Sequence, residues 1–115
     1  MDLRKATLEN QAYRHVVYTD SNSQTVLMSL LPKEDIGMEV HHGTTQYIYI
    51  VKGVGEAIIG KKHYALGPGV MAPIPPNTRH NIINASSTQR LQLFTIYTPP
   101  EHPPSTFQKT KPLNG

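Results

Sequence analysis

Cysteine and tryptophan are both absent from the 115 residues of the sequence. Without cysteine there can be no disulfide framework, thiolate metal site or cysteine nucleophile, so any metal must be bound through nitrogen and oxygen. No run approaches the roughly 18 apolar residues of a membrane span, and the N-terminal segment carries charges where a signal peptide would be apolar. These absences predict a cytoplasmic protein with no membrane partner.

Long runs of one charge are absent as well. The formal net charge is +3, but the eleven lysines and arginines are scattered as singles and pairs. Nucleic-acid binding requires several phosphates to be contacted from one face of the protein, and no basic stripe supplies those contacts. We therefore expect no nucleic-acid partner, and the excess positive charge is explained by solubility.

Ten prolines and eight glycines are present, and they separate short runs of β character. Strands at about ten-residue spacing are typical of a sandwich, barrel or jelly roll. The sequence therefore predicts one all-β domain, residues 13–98, with an N-terminal arm at 1–12 and a proline-rich tail at 99–115. The predicted strands are 13–19, 25–31, 37–41, 46–51, 56–60, 62–66, 70–75, 80–84 and 90–98.

Two of these runs, VLMSLL at 26–31 and LQLFTIY at 91–97, are apolar on nearly both faces. Each side of such a strand needs cover, which a barrel interior supplies on one side only. Because a monomer rarely exposes a large contiguous apolar patch, we expect a homodimer.

The stretch GMEVHHGTTQYIYIVKG, residues 37–53, places a carboxylate and two imidazoles at the end of an apolar run. Positions i and i+2 of a strand share a face, with Cα atoms roughly 6.6 Å apart, so Glu39 and His41 point together and His42 points the other way. A hairpin at HGTT would return Gln46 to the side of His41. A metal ligand set and a solvated hairpin tip both explain this pattern.

Two strands carry a polar residue at the head of an apolar face. Gln46 precedes Ile48 and Ile50, and His80 precedes Ile82. A buried amide or imidazole needs polar partners, so Gln46 and His80 are candidates for binding or orienting a ligand.

Residues 33–53 and 69–84 have the spacing of two known motifs, G-x5-H-x-H-x(3,4)-E-x6-G and G-x5-P-x-G-x2-H-x3-N. With them, nearly the whole chain resembles the cupin superfamily, and within it the small proteins labelled mannose-6-phosphate isomerase-like. Lys33 and Asn77 stand where these motifs have glycine. Glu39 occupies the position of the first motif histidine and Gln46 that of the motif glutamate. The anchors that match in kind are His41, Gly53, Gly69, Pro75, His80 and Asn84.

The resemblance implies an antiparallel jelly-roll barrel that holds one divalent metal ion on Glu39, His41, Gln46 and His80. Such nitrogen and oxygen ligands accept Fe, Mn, Ni, Co or Zn. It further implies a metal-dependent enzyme with isomerase-like action on a small molecule, a sugar or related carbonyl compound, in which Glu39 stays a ligand or shuttles a proton. A dioxygenase of the Fe(II) type and a non-catalytic sugar- or metabolite-binding module are the alternatives.

Arg79 and Tyr97 are the candidate substrate-binding residues. Arg79 would reach an anionic substrate group, and Tyr97 would place a hydroxyl near the metal; a solvated loop charge and core packing are the competing explanations.

The remaining four histidines are not in the predicted ligand set. A rival register uses His42 with Gln46 and loses the carboxylate ligand. His15, His63 and His102 have no partners at ligand spacing and are predicted to lie at the surface.

Overall fold

A computed structural model describes residues 1–113 and gives them an all-β antiparallel jelly-roll barrel with one short helix, which confirms the predicted fold class. Within these residues, no helix has the length and apolar character that crossing a membrane requires. The elements are α1 (Leu3–Glu9), β1 (Arg14–Thr19), β2 (Gln24–Leu30), β3 (Thr45–Lys52), β4 (Gly55–Ile59), β5 (Lys62–Leu66), β6 (Met71–Ile74), β7 (His80–Asn84), β8 (Leu91–Thr98) and β9 (Phe107–Gln108).

The strands form two antiparallel sheets around one core. The larger sheet has the order β6-β3-β8-β2-β1-β9, and the smaller has the order β5-β4-β7. Eight of the nine predicted strands match observed strands to within about two residues at each end, the accuracy expected of strand boundaries.

The predicted inward faces of three strands are confirmed. Side chains alternate between the two faces of a strand, so one face of each strand enters the core. Met28 and Leu30 of β2 are also fully buried. The buried inward residues are Gln46, Ile48 and Ile50 on β3, His80, Ile82 and Asn84 on β7, and Leu91, Leu93, Thr95 and Tyr97 on β8.

The prediction of a strand at 37–41 is wrong. Glu39 forms only an isolated bridge to His80. The positive φ angles of Gly37 (100°) and Gly43 (78°) interrupt the extended backbone on either side. The chain then crosses to the larger sheet at β3, so Gln46 and Glu39 belong to different sheets and the predicted hairpin does not form.

The two ends of the chain pack against the larger sheet. Helix α1 is capped by the Asp2 side chain, which accepts from the Lys5 backbone N–H at 3.0 Å, and it contacts β2, β3 and β8. The tail returns after β8 and pairs with β1 as β9. Whether 1–12 and 99–115 behave as separate units stays a prediction, and residues 114 and 115 lie outside the described part of the chain.

Four motif positions, Lys33, Gly53, Gly69 and Asn77, have left-handed backbone. Gly53 has a φ of 101°, and a Cβ there would lie 2.5 Å from the Arg90 carbonyl oxygen, so only glycine fits. Lys33 and Asn77, which replace motif glycines, both have a φ of 64°. Asparagine tolerates this conformation better than most residues, and Lys33 adopts it as well.

Candidate functional site

The four residues predicted as ligands come from different parts of the barrel and approach one another. Glu39 and His80 are joined by two backbone hydrogen bonds, Glu39 N–H to His80 O at 2.8 Å and His80 N–H to Glu39 O at 2.9 Å. The His41 ring lies 5.0 Å from the His80 ring and 5.6 Å from the Tyr97 ring, centroid to centroid. Gln46 reaches the same place, since its amide nitrogen lies 3.2 Å from the Tyr97 hydroxyl.

Both buried histidines are held by the nitrogen that faces away from the shared space. His80 Nδ1 lies 2.9 Å from the Thr78 carbonyl oxygen, which can only accept, so Nδ1 carries the proton. His41 Nδ1 lies 2.8 Å from Glu101 Oε1, and Nδ1 donates to that carboxylate. With the proton on Nδ1, the neutral form of each ring has its lone pair on Nε2.

Gln46 is fixed by β8. Its Nε2 donates to the Thr95 hydroxyl at 3.0 Å and to the Tyr97 hydroxyl at 3.2 Å. Its Oε1 is buried and has no hydrogen-bond partner within residues 1–113. An unsatisfied buried amide oxygen costs free energy, so this atom is a candidate to bind a cation or a substrate hydroxyl.

Burial sets the charge state of two groups in the site. Desolvation lowers the pKa of His80, which keeps the imidazole neutral near pH 7. Desolvation, reinforced by the negative charge of Glu39, raises the pKa of Tyr97 well above its usual range. Tyr97 is therefore a neutral hydroxyl, able to donate a proton in a hydrogen bond.

Two other candidates point away from this space. His42 is exposed and pairs through Nδ1 with Asn77 Oδ1 at 3.0 Å, whereas His41 is only 6% exposed. Arg79 is exposed too, at the position before the buried His80, and neighbouring strand positions face opposite ways. A role for Arg79 in substrate binding stays a prediction, while Tyr97 lies among the predicted ligands.

Three further residues of the site were missed by sequence reasoning. Glu101 holds His41, and His102 packs edge-on against Tyr97 with ring centroids 5.3 Å apart. Arg14 is buried on β1 with only 5% of its surface exposed. The sequence did contain an indication for Arg14, because it shares the inward-facing positions of β1 with Val16. For Glu101 and His102 the indication was weak, since they are two polar residues among the prolines of the tail.

The prediction that His102 lies at the surface holds only in part, because the residue is half-buried. Its Nε2 is buried without a hydrogen-bond partner among the described residues. The tail does not leave the barrel after β8: Gln24 accepts from the backbone N–H groups of Glu101 and His102 at 3.2 and 3.0 Å, and donates to the His102 carbonyl at 2.7 Å. This segment is thereby held against Tyr97.

Comparison with known proteins agrees with this architecture. The model of the cupin domain family matches residues 26–97, which span both motifs and the strands that carry Gln46, His80 and Tyr97. The chain belongs to the cupin family. Membership of the cupin family does not establish the finer mannose-6-phosphate isomerase-like grouping, which stays a prediction.

Similar proteins occur in a virus and in bacteria. The chain is 43% identical to the uncharacterized protein L612 of Acanthamoeba polyphaga mimivirus, over 100% of this chain and 74% of that protein. It is 36% identical to the uncharacterized protein YrkC of Bacillus subtilis, over 96% of this chain but only 62% of YrkC. The crystal structure of BH2720 from Bacillus halodurans superposes with a TM-score of 0.93 at 31% identity, over 96% of this chain and 88% of that one.

The residues of this cupin fit a metal ion by donor type and tautomer. Metal-binding histidines commonly donate their second ring N–H to a carboxylate or carbonyl, as His41 and His80 do here to Glu101 and Thr78. The Gln46 Oε1 atom supplies an unsatisfied oxygen nearby. As these side chains stand, no three His, Asp or Glu residues within 1–113 have the spacing of a closed metal centre.

Proposed function

We propose that this cupin is a metal-dependent enzyme that acts on a small carbonyl compound, such as a sugar, with isomerase-like chemistry. The observation that carries the proposal is the pair of histidine tautomers: both rings have Nδ1 committed to oxygen acceptors and, in the neutral form, the lone pair on Nε2, beside a carboxylate. Two imidazoles and a carboxylate form a common ligand set for Fe, Mn, Co, Ni or Zn. Glu39, His41, Gln46 and His80 would hold the ion.

Glu39 is the residue best placed to move a proton. Its Oε2 lies 3.6 Å from His41 Nε2, within ion-pair distance but beyond hydrogen-bond distance. A bound divalent metal would polarise a substrate carbonyl or hydroxyl. Glu39 would then take a proton from one carbon and return it to its neighbour, which is the transfer that isomerisation requires.

Tyr97 and Gln46 would position the substrate. The neutral Tyr97 hydroxyl accepts from Gln46 Nε2, so its own proton is available to a substrate oxygen. The surrounding inward side chains of β3 and β8 are apolar and exclude water, which strengthens each of these polar contacts.

Metal binding is the first test. Protein purified without added metal is expected to carry, or to take up on titration with Mn²⁺, Ni²⁺ or Zn²⁺, one ion per chain by plasma mass spectrometry. The ion should be lost in His41→Ala and kept in His42→Ala, a matched control one position away on the outside. Glu101→Gln should weaken binding by roughly ten- to hundred-fold, because it removes the carboxylate that orients His41.

Turnover is the second test. Metal-loaded protein would be assayed against sugars, sugar phosphates and hydroxy ketones, following solvent deuterium uptake by NMR. Glu39→Gln is expected to reduce turnover by roughly 10²- to 10⁴-fold, the usual contribution of a general acid-base. A bound metal with no turnover of any of these compounds would instead indicate a sugar- or metabolite-binding module.

A dioxygenase is the second candidate, because two histidines and one carboxylate also form the ligand set of non-haem iron oxygenases. Oxygen consumption in an electrode with Fe²⁺-loaded protein and a diketone separates the two reactions, since isomerisation consumes no oxygen.

A further inference from the structure

Arg14 carries a positive charge inside the barrel. On β1 it pairs with the core residue Met28 of β2, and only 5% of its surface is exposed. Its guanidinium carbon lies 5.1 Å from the centroid of the Tyr13 ring. Its Nη1 donates to Gln108 Oε1 at 2.6 Å, across the pairing of β1 with β9.

This charge has no counterion within the described residues. The ion pairs there join other groups, and the one side chain bonded to the Arg14 guanidinium is the neutral amide of Gln108. Its Nε–H is buried and unpaired as well. A buried unpaired cation is costly, and such charges are normally paired with an anion.

Two other unsatisfied buried atoms belong to residues of the candidate site, Gln46 and His102. Within residues 1–113, the buried side-chain atoms that lack partners are Tyr13 Oη, Arg14 Nε, Gln46 Oε1 and His102 Nε2. Burial and then the Arg14 charge lower the pKa of His102 to about 4, and the His102 ring packs edge-on against Tyr97. Buried groups of this kind usually have a partner when the protein is at work.

Charge balance indicates what that partner is. If the proposed function holds, the two negative charges of Glu39 and Glu101 balance the two positive charges of one divalent metal ion. The positive charge of Arg14 then has no balancing anion among these groups. We propose that Arg14 binds the carboxylate of an acidic substrate, so that the substrates of this site are small oxo or hydroxy acids. Arg14 donates its Nε–H to that carboxylate. The neutral His102 ring, whose Nε2 has no other partner within residues 1–113, donates a second hydrogen bond.

The test compares an acid with its amide. Pyruvate and pyruvamide have nearly the same size and the same 2-oxo group but differ by one charge. Calorimetric titration of the metal-loaded wild-type protein should give a Kd for pyruvate at least tenfold below that for pyruvamide, the range of a charge-assisted hydrogen bond. In Arg14→Met that ratio should fall to about one. If the ratio survives in Arg14→Met, the metal alone binds the carboxylate and the proposal is wrong.

Arg79→Met identifies the alternative cationic anchor. Arg79 is exposed and was predicted from the sequence to bind an anion. Loss of the pyruvate preference in Arg79→Met, with its retention in Arg14→Met, would overturn the assignment to Arg14. The reverse pattern supports it.

A second variant keeps the test valid if Arg14→Met does not fold. Gln108→Glu places a carboxylate where Oε1 now lies, 2.6 Å from Arg14 Nη1, and so supplies an internal counterion. This change should raise the melting temperature of the metal-free protein and weaken pyruvate binding at least tenfold in the metal-loaded protein. The control Gln89→Glu, which adds the same charge at an exposed position, should do neither.

The two proposals fail separately. Absence of metal binding would contradict the proposed function, yet the rise in melting temperature of metal-free Gln108→Glu would still report the missing counterion. Bound metal with no stabilisation in Gln108→Glu and no loss of pyruvate affinity would contradict only the role of Arg14.

Discussion

His102 shows how one residue of the tail acquires its properties from the barrel. Burial, with the Arg14 charge as the second cause, lowers its pKa from 6.5 to about 4. The ring packs edge-on against Tyr97 and cannot take up a proton without desolvation cost. The residue is therefore neutral in the folded protein at pH values where it would be charged in the unfolded chain.

This difference predicts an acid sensitivity that belongs to His102. Because the folded pKa is lowered, the contribution to stability is present above pH 6.5 and is lost as the pH falls toward 4. His102→Phe keeps an aromatic ring against Tyr97 but cannot titrate. Urea unfolding between pH 7 and 4 should therefore show a flatter decline in the free energy of unfolding for the variant; parallel declines would contradict the prediction.

At the scale of elements, helix α1 is attached to the barrel by one side chain of β8. Gln92 points outward, opposite to its inward neighbours Leu91 and Leu93, and is only 8% exposed. Its Nε2 approaches three backbone carbonyls at the end of the helix, those of Thr7, Leu8 and Asn10, at 3.3, 3.0 and 3.3 Å. The last carbonyls of a helix have no partner within the helix, so this amide satisfies them.

Replacement of this amide should loosen the helix. Gln92→Glu removes both N–H donors and turns a carboxylate toward the same carbonyls, so we expect a loss of about 2 kcal/mol in the free energy of unfolding. Hydrogen exchange over residues 3–10 should accelerate. Gln89→Glu is the matched control, since that side chain is exposed. Equal stability of the two variants would mean that the helix is held by other contacts.

At the scale of the whole molecule, the outer face of the larger sheet is covered only in part. Helix α1 packs on β2, β3 and β8, so the chain itself supplies some of the cover expected from a second subunit. Beside the helix, a groove of about 630 Å³ runs between β1, β2 and the tail. Two apolar side chains at this groove remain exposed, Leu31 at 44% and Phe107 at 59%.

The homodimer stays a prediction, and this groove is the surface on which we place it. Light scattering after gel filtration at micromolar concentration should give twice the mass of one chain. Phe107→Ser should shift the protein toward the monomer, because it removes an exposed apolar anchor. Tyr64→Ser, an exposed aromatic of the other sheet, serves as control. A monomeric wild-type protein would remove the prediction.

The backbone plan of this protein was readable from its sequence because it depends on local rules. Turn-forming residues bound each strand, and alternation of apolar residues assigns Ile48 and Ile50 to the core and Tyr47 to solvent. The same rule separated the buried His41 from the exposed His42. Local rules misassigned residues 37–41, where a bridge to His80 replaces a strand.

What the sequence by itself determined, then, is the order of strands and which side chains face inward, since both follow from contacts between near neighbours in the chain. Only the tertiary structure decided that Glu101 holds His41, that His102 Nε2 is buried and that the Arg14 charge lacks a counterion within residues 1–113. The physical reason is distance along the chain: these interactions join residues of β1, the 37–44 segment and the tail, and no local pattern specifies how a tail returns across the end of a closed barrel.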